Sequence, residues 1–161
     1  MRVRAKIVNR TELLEDLAPR RRDGATVALA NGLFDLLHVG HLRYLEGAAA
    51  EADLLVVAVN SDRSARKLKG PSRPVIPENE RAELVAGFAC VDYVTVFDEL
   101  DARPLLRELR PDVHCKGSDY TADTVPEADL ARESGWRIAI VGDKKRHATS
   151  SMIERIKKPG D

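Results

Sequence analysis

Five apolar, β-rich runs punctuate the chain: TVALAN (26–31), DLLVVAVN (53–60), VDYVTVF (91–97), PDVHCKG (111–117) and WRIAIVG (136–142). Between them the apolar period changes. Leu42, Leu45, Ala48 and Ala49 recur at helical spacing, as do Leu84, Val85 and Phe88, and then Leu105, Leu106 and Leu109. A helix near residues 11–22, with Thr11 at its N-cap, is predicted before the first run. A last helix over about 149–158 is predicted to turn Ile153 and Ile156 inward. The Pro-rich stretch KLKGPSRPVIP (67–77) reads as a loop, with Pro77 opening the next helix.

Strand alternating with helix implies βαβ units. Near-continuous apolar strands such as LLVVAV fit a sheet buried on both faces. The expected fold is therefore α/β: a Rossmann-like, doubly wound parallel sheet of about five strands with helices on both faces. One domain over 1–161 is expected, with residues 1–24 as an N-terminal helical extension. Ligands of such sheets bind beyond the carboxyl ends of the strands. The segments there are NGLFDLLHVGH, NSDRSARKLKG, FDELD, KGSDY and GDKKRHATSS.

Composition narrows the partners. Among 161 residues, Lys+Arg and Asp+Glu both total 26, so no bulk charge draws the chain to nucleic acid or to an anionic membrane. An anionic ligand must be held by a local cluster of donors. Two cysteines without CxxC spacing argue against a disulfide framework or a zinc site. The N-terminus is too charged for a signal peptide, and no run approaches the ~20 apolar residues of a membrane span. A cytoplasmic protein is expected.

Two of the four histidines, His38 and His41, bracket Val39-Gly40 where a strand gives way to a helix. At i and i+3 they share a face of the helix start, beside free backbone N–H groups and the positive end of the dipole. Gly40 removes an obstructing side chain. The combination suits a phosphate group. A chance surface pair and a zinc site are the alternatives, and the latter lacks a third ligand nearby.

The stretch Asn31-Gly32-Leu33-Phe34-Asp35 followed by His38-Val39-Gly40-His41 resembles the signature of the HxGH nucleotidyltransferase superfamily, in its cytidylyltransferase-like branch. The resemblance runs from about Lys6 to Ile156. Within the branch, residues 59–85, 91–97, 116–127 and 148–156 are similar to the adenylyltransferases that make ADP-heptose for lipopolysaccharide and related glycans. This implies transfer of AMP from ATP to D-glycero-β-D-manno-heptose 1-phosphate with release of pyrophosphate. It also implies Mg²⁺ delivered with ATP and a homodimer. Glycerol 3-phosphate cytidylyltransferase and a non-enzymatic nucleotide-binding module are the competing expectations.

The family pattern implies that His38 and His41 contact the triphosphate and the departing pyrophosphate. Backbone around Gly32 and Phe34 would line the α-phosphate site, beside Asn31 and Gly40. Asp35 would orient the loop or bind the acceptor. Lys69, in the Gly/Pro-flanked loop, is expected to close over phosphates. Arg81 matches a family arginine that reaches the phosphates, a surface ion pair with Glu78 or Glu83 being the alternative. Lys116 and Gly117 follow the fourth strand, and Asp119 can accept from ribose or sugar hydroxyls. Thr149 and Ser150 open the last helix as a second phosphate cradle. The basic run 144–147 either supplements phosphate binding or is a solvated loop. His114 is expected to be structural, and Leu33, where the family usually has Cys, to face the core. Base choice is expected to rest on backbone around 89–93 and 115–121.

Overall fold

A computed structural model describes residues 2–121, 123–143 and 149–157, except for the side chain of Ser150. Five strands form one sheet: β1 (Val27–Gly32), β2 (Leu54–Asn60), β3 (Tyr93–Phe97), β4 (Val113–Gly117) and β5 (Arg137–Val141). Their order is β3-β2-β1-β4-β5 and every pairing is parallel. The Rossmann-like, doubly wound expectation is borne out. The order reverses at β1, which places the crevice between the ends of β1 and β4.

The described residues form seven α-helices: α1 (Arg10–Arg22), α2 (Val39–Ala49), α3 (Asp62–Lys69), α4 (Glu78–Ala86), α5 (Arg103–Leu109), α6 (Ala128–Ser134) and α7 (Thr149–Lys157). Leu45, Ala48, Ala82 and Val85 of α2 and α4 pack on Ala28, Ala30, Val57 and Val59. Leu13, Leu17, Leu105, Leu106 and Leu130 of α1, α5 and α6 pack on Val27, Leu29, Val56 and Ala58. Alternate residues of β1 and β2 thus feed opposite cores, as a strand's period of two requires. The first helix is consequently part of the domain's packing.

Carboxylates pin the amino ends of the strands. Asp53 accepts from Thr26 N–H at 2.8 Å, Asp112 from Val27 N–H at 2.7 Å, and Asp92 from Leu55 N–H at 2.8 Å. Each stands just before one strand and holds the start of its neighbour. This locks register at the end of the sheet opposite the crevice.

Several local expectations change. The first helix is capped by Asn9, in a reciprocal box with Glu12, because Asn9 Oδ1 reaches Glu12 N–H at 3.0 Å and the Glu12 carboxylate returns to Asn9 N–H at 2.9 Å. Thr11 lies inside the helix. Helix α3 runs on to Lys69 and stops at Gly70, whose φ of +97° ends it, so the loop is 70–77. Leu84 and Ile156 face outward, at 49% and 74% exposure.

Candidate active site

A cavity of about 730 Å³ opens beyond the carboxyl ends of β1 and β4. That is within the range of small-ligand sites. Asn31, Gly32, Phe34, Asp35, His38, Gly40, His41, Lys69, Lys116, Gly117, Asp119 and Thr149 all line it. The fold thus gathers residues spread over more than a hundred positions of sequence.

The histidine pair is built into the helix start. His38 is the N-cap of α2, and its Nδ1 accepts from Gly40 N–H at 3.1 Å. Nδ1 of His41 accepts in turn from His38 N–H at 3.3 Å. This is a capping box made of imidazoles instead of hydroxyl and carboxylate. An Nδ1 that accepts carries no proton, so in each neutral ring the proton is on Nε2. The rings stack with centroids 4.0 Å apart. Burial, and second the unfavourable proximity of His38 to a charged His41, lowers the pKa of His41 to about 4. His41 is therefore a neutral donor at physiological pH.

Phe34 shapes the turn before the pair. It adopts φ +50°, a region L-residues enter at a cost of roughly 1–2 kcal/mol. Its ring packs against His41 and Tyr44 at centroid distances of 5.5 and 6.4 Å. It also passes over Gly32, where an added Cβ would meet the ring at 3.3 Å. A side chain at position 32 would therefore press the Phe34 ring out of place by a few tenths of an ångström. Leu33 lines the cavity instead of entering the core, because the turn that buries Phe34 directs it outward.

Asp35 is buried at 1% exposure and ties the turn to loop 70–77. It accepts from Arg73 Nε at 2.6 Å and from the N–H groups of Val75 and Ile76, each at 2.9 Å. Burial alone would raise its pKa. The N–H groups of Ile76 and Val75, together with Arg73, outweigh burial and hold it below the usual value. Of the two expected roles, loop orientation is the one this geometry displays.

Arg81 does not line the cavity. It is fully buried, with Nε on Ile76 O at 2.8 Å, Nη1 on Leu33 O at 2.5 Å and Nη2 on Asp62 at 2.8 Å. The helix turns it inward, so its guanidinium fastens the loops behind the site, and neither Glu78 nor Glu83 pairs with it. Lys69, the exposed last residue of α3, points its charge to the cavity from a helix end instead of a loop.

Lys116 is buried at 8% exposure between Glu127 Oε2 and Asn31 Oδ1, each 3.3 Å from Nζ. Tyr120 faces the same ammonium at 5.5 Å. Thr149 Oγ1 donates to Leu36 O at 3.2 Å and ties the start of α7 to the histidine loop. The Ser150 side chain and residues 144–148 lie outside the described residues. Residues 89–93 precede or begin β3, at the opposite end of the sheet from the cavity, so of the expected base contacts only those near 116–120 adjoin it.

Several lining residues were given no role from sequence: Arg43, Tyr44, Asn60, Arg73 and Tyr120. Arg73 had a signal, since it lies in the irregular stretch between two prolines. Arg43 and Tyr44 sit within the helical pattern, where nothing marks the face that meets the cavity. Tyr44 donates to Cys115 O at 2.8 Å, and burial pushes its hydroxyl pKa up, so it is a neutral wall.

A family model described as cytidylyltransferase-like matches residues 29–156, a span that includes the paired histidines and the start of α7. The chain belongs to the cytidylyltransferase-like family. Over 94% of its length, this cytidylyltransferase-like chain is 49% identical to the bifunctional protein HldE of Syntrophotalea carbinolica and 46% identical to that of Koribacter versatilis. In each case the match covers 31% of the relative, so the chain spans under a third of the curated relatives it matches. The crystal structure of the lipopolysaccharide core biosynthesis protein from Thermoplasma volcanium superposes with a TM-score of 0.64 at 29% identity, covering 76% of this chain and 100% of that one.

Proposed function

We propose that the chain transfers AMP from ATP to D-glycero-β-D-manno-heptose 1-phosphate, giving ADP-heptose and pyrophosphate. The observation that carries this is the reciprocal capping of His38 and His41, which aligns two imidazole donors with the start of α2 at the cavity wall. The motifs in residues 59–85, 116–127 and 148–156 supply the choice of acceptor. The likeness to HldE and to a lipopolysaccharide core biosynthesis protein supports it.

In this reading a sugar-phosphate oxygen attacks the α-phosphorus of ATP. The new P–O bond forms as the bond to the β-phosphate oxygen breaks, and pyrophosphate leaves with that electron pair. The nucleophile is already ionised at neutral pH, so the protein's work is positioning and charge stabilisation. The two Nε2–H groups and the free N–H groups of α2 donate to phosphate oxygens, and Lys69 adds a full charge. Asp119 and Gly117 flank the sugar or ribose.

Mg²⁺ enters with ATP and neutralises triphosphate charge. No group of three His, Cys, Asp or Glu among the described residues is placed to hold a metal. Asp35, the buried carboxylate at the wall, is committed to Arg73 and two backbone N–H groups. These features suit an ion carried by the nucleotide.

No helix among the described residues is long and apolar enough to cross a membrane. We place the enzyme in the cytoplasm as a homodimer, the commonest symmetric assembly, and sedimentation of the purified chain tests that. The activity is tested by pyrophosphate release with Mg²⁺. ATP and CTP are each paired with heptose 1-phosphate and with glycerol 3-phosphate. Turnover with ATP and the heptose phosphate is expected. Turnover confined to CTP and glycerol 3-phosphate would move the chain to the sister activity, and ATP binding without turnover in any pairing to the non-enzymatic one.

A further inference from the structure

A histidine in the middle of a buried parallel strand is an expensive choice. His114 is fully buried in β4, opposite Leu29 of β1 and Ile138 of β5. Its Nδ1 has no hydrogen-bond partner among the described residues. An aliphatic side chain would fill the site without an unpaired polar atom. What the ring gains is its other nitrogen, Nε2, which lies 3.0 Å from Asn31 Oδ1.

Asn31 Oδ1 also receives Lys116 Nζ at 3.3 Å. The ammonium settles the geometry. Lys116 can only donate, so the atom facing it must be the amide oxygen. The same oxygen then accepts from His114, which fixes the Nε2–H tautomer and leaves Nδ1 as a bare lone pair. Burial, with Lys116 second, lowers the pKa of His114 to about 3, so the ring stays neutral. Glu127, 3% exposed, holds Lys116 from the other side at 3.3 Å. With both donors on Oδ1, the Asn31 Nδ2–H₂ group is turned away from them. Asn31 lines the cavity, one residue before Gly32.

We propose that His114 is a positioning residue, which together with Lys116 holds the Asn31 carboxamide so that Nδ2 donates to a phosphate oxygen of bound substrate. The chain Glu127–Lys116–Asn31–His114 is a buried polar support that keeps this donor from rotating. A flipped amide would put N–H groups against an ammonium and present an acceptor to an anion.

The inference rests on the proposed phosphoryl chemistry, and the test separates the two. Four proteins are compared: wild type, His114→Leu, His114→Gln and Asn31→Asp. Each is titrated by calorimetry with MgATP alone and with heptose 1-phosphate alone, then assayed for kcat and KM. The variant Asn31→Asp keeps an oxygen for His114 and Lys116 but replaces the donor with an acceptor. It is expected to lose about 100-fold in kcat/KM, and His114→Leu about tenfold, the range for a hydrogen bond to a charged group. In His114→Gln a side-chain amide N–H can still reach Oδ1, and most of the loss should be recovered.

Weakened binding of one titrant assigns the oxygen to the nucleotide or to the acceptor. If wild type binds MgATP but turns over no acceptor, the catalytic reading fails while the ATP titrations still test the amide. A folded His114→Leu protein with wild-type binding and turnover would overturn the proposal. Should His114→Leu fail to fold, nitrogen NMR of the wild type decides. An Nε2-protonated His114, with Asn31 amide protons that shift on adding MgATP or the sugar phosphate, supports it. An Nδ1-protonated ring or unmoved amide protons overturns it.

Discussion

His38 and His41 cap each other's turn: the N–H of His38 donates to Nδ1 of His41 at 3.3 Å, while Nδ1 of His38 takes the N–H of Gly40. Each ring thus has an inner nitrogen that serves the fold and an outer one that, in the proposed reaction, donates to a phosphate oxygen. The two jobs can be separated by substitution. In His41→Asn, Oδ1 replaces the inner acceptor but no outer donor remains. We expect kcat to fall about 100-fold or more, as when an oxyanion donor is removed, with Tm almost unchanged. In His41→Gln the outer donor is approximated and the cap is lost, at about 1 kcal/mol of stability. Activity should then exceed that of the Asn variant. Equal activity in the two would show that the outer nitrogen is not the one that matters.

The pH dependence has a defined sign. The pKa of His41 is lowered to about 4 and that of His114 to about 3, in both cases first by burial. An unfolded histidine titrates near ~6.5, so at intermediate pH the unfolded chain binds more protons. Stability therefore rises with pH up to about 6.5 and is lost as the solution is acidified below it. Urea midpoints measured from pH 4 to 8 should climb and then level off. An NMR titration should show His41 neutral down to about pH 5, and protonation near 6.5 would contradict the buried pair.

Much of this was legible because it is periodic. The strand runs and the HxGH spacing are local patterns, and both survive folding. What failed was one local choice of cap and the contacts between distant segments. Thr11 and Asn9 are equivalent as caps by composition, and only the return bond from Glu12 chooses between them. Arg81 was expected to reach the phosphates because it matches a family arginine. Its partners, Leu33 O and Asp62, are 48 and 19 residues away, and no spacing rule reports such a pairing. His114 reads as structural from its place in a strand and is indeed buried there; only its bond to Asn31, 83 residues away, has no signal in the sequence.

Asp35 should behave as a latch. Its carboxylate holds Arg73 and the N–H groups of Val75 and Ile76. An amide in its place keeps at most part of that set and abandons a charge. Asp35→Asn is expected to lose about 1–3 kcal/mol at pH 7 and to raise KM through a loosened 70–77 loop. The lowered carboxyl pKa means the stabilisation is present above the ordinary aspartate range and disappears as pH falls through the folded value. The gap between wild type and variant should therefore close in acid, and denaturation at pH 3 and pH 7 measures it. A gap that persists unchanged at pH 3 would assign the effect to packing instead of charge.

Arg81 is expected to be a stability residue. Truncation to Ala would strand Leu33 O, Ile76 O and the Asp62 carboxylate that it now serves. Asp62 is 27% exposed, so the cost is about 3 kcal/mol, the lower end for removing one partner of a buried pair. At this chain length that is roughly 10 °C in Tm. Arg81→Lys should recover little, because three acceptors in different directions need the planar fork. Residual activity at low temperature, where the fold persists, should be closer to wild type than that of the histidine variants. Loss of activity in a fully folded Arg81→Lys protein would restore a direct catalytic role.

Lys69 makes the opposite case. It is exposed, at the last turn of α3, and faces the cavity. A solvated lysine at a helix end contributes at most a few tenths of a kcal/mol through the dipole, so Lys69→Ala should leave Tm within a degree or two. Its charge gains value when a triphosphate enters and water leaves, since attraction strengthens as the local dielectric falls. If Lys69 closes on the transferring phosphates, kcat should drop at least tenfold with little change in the affinity for MgATP. If it merely attracts the nucleotide, KM for ATP should rise and kcat hold, and the defect should deepen with salt as screening removes the remaining attraction. Steady-state kinetics at two ionic strengths distinguishes these outcomes, and wild-type values at both would remove Lys69 from the site.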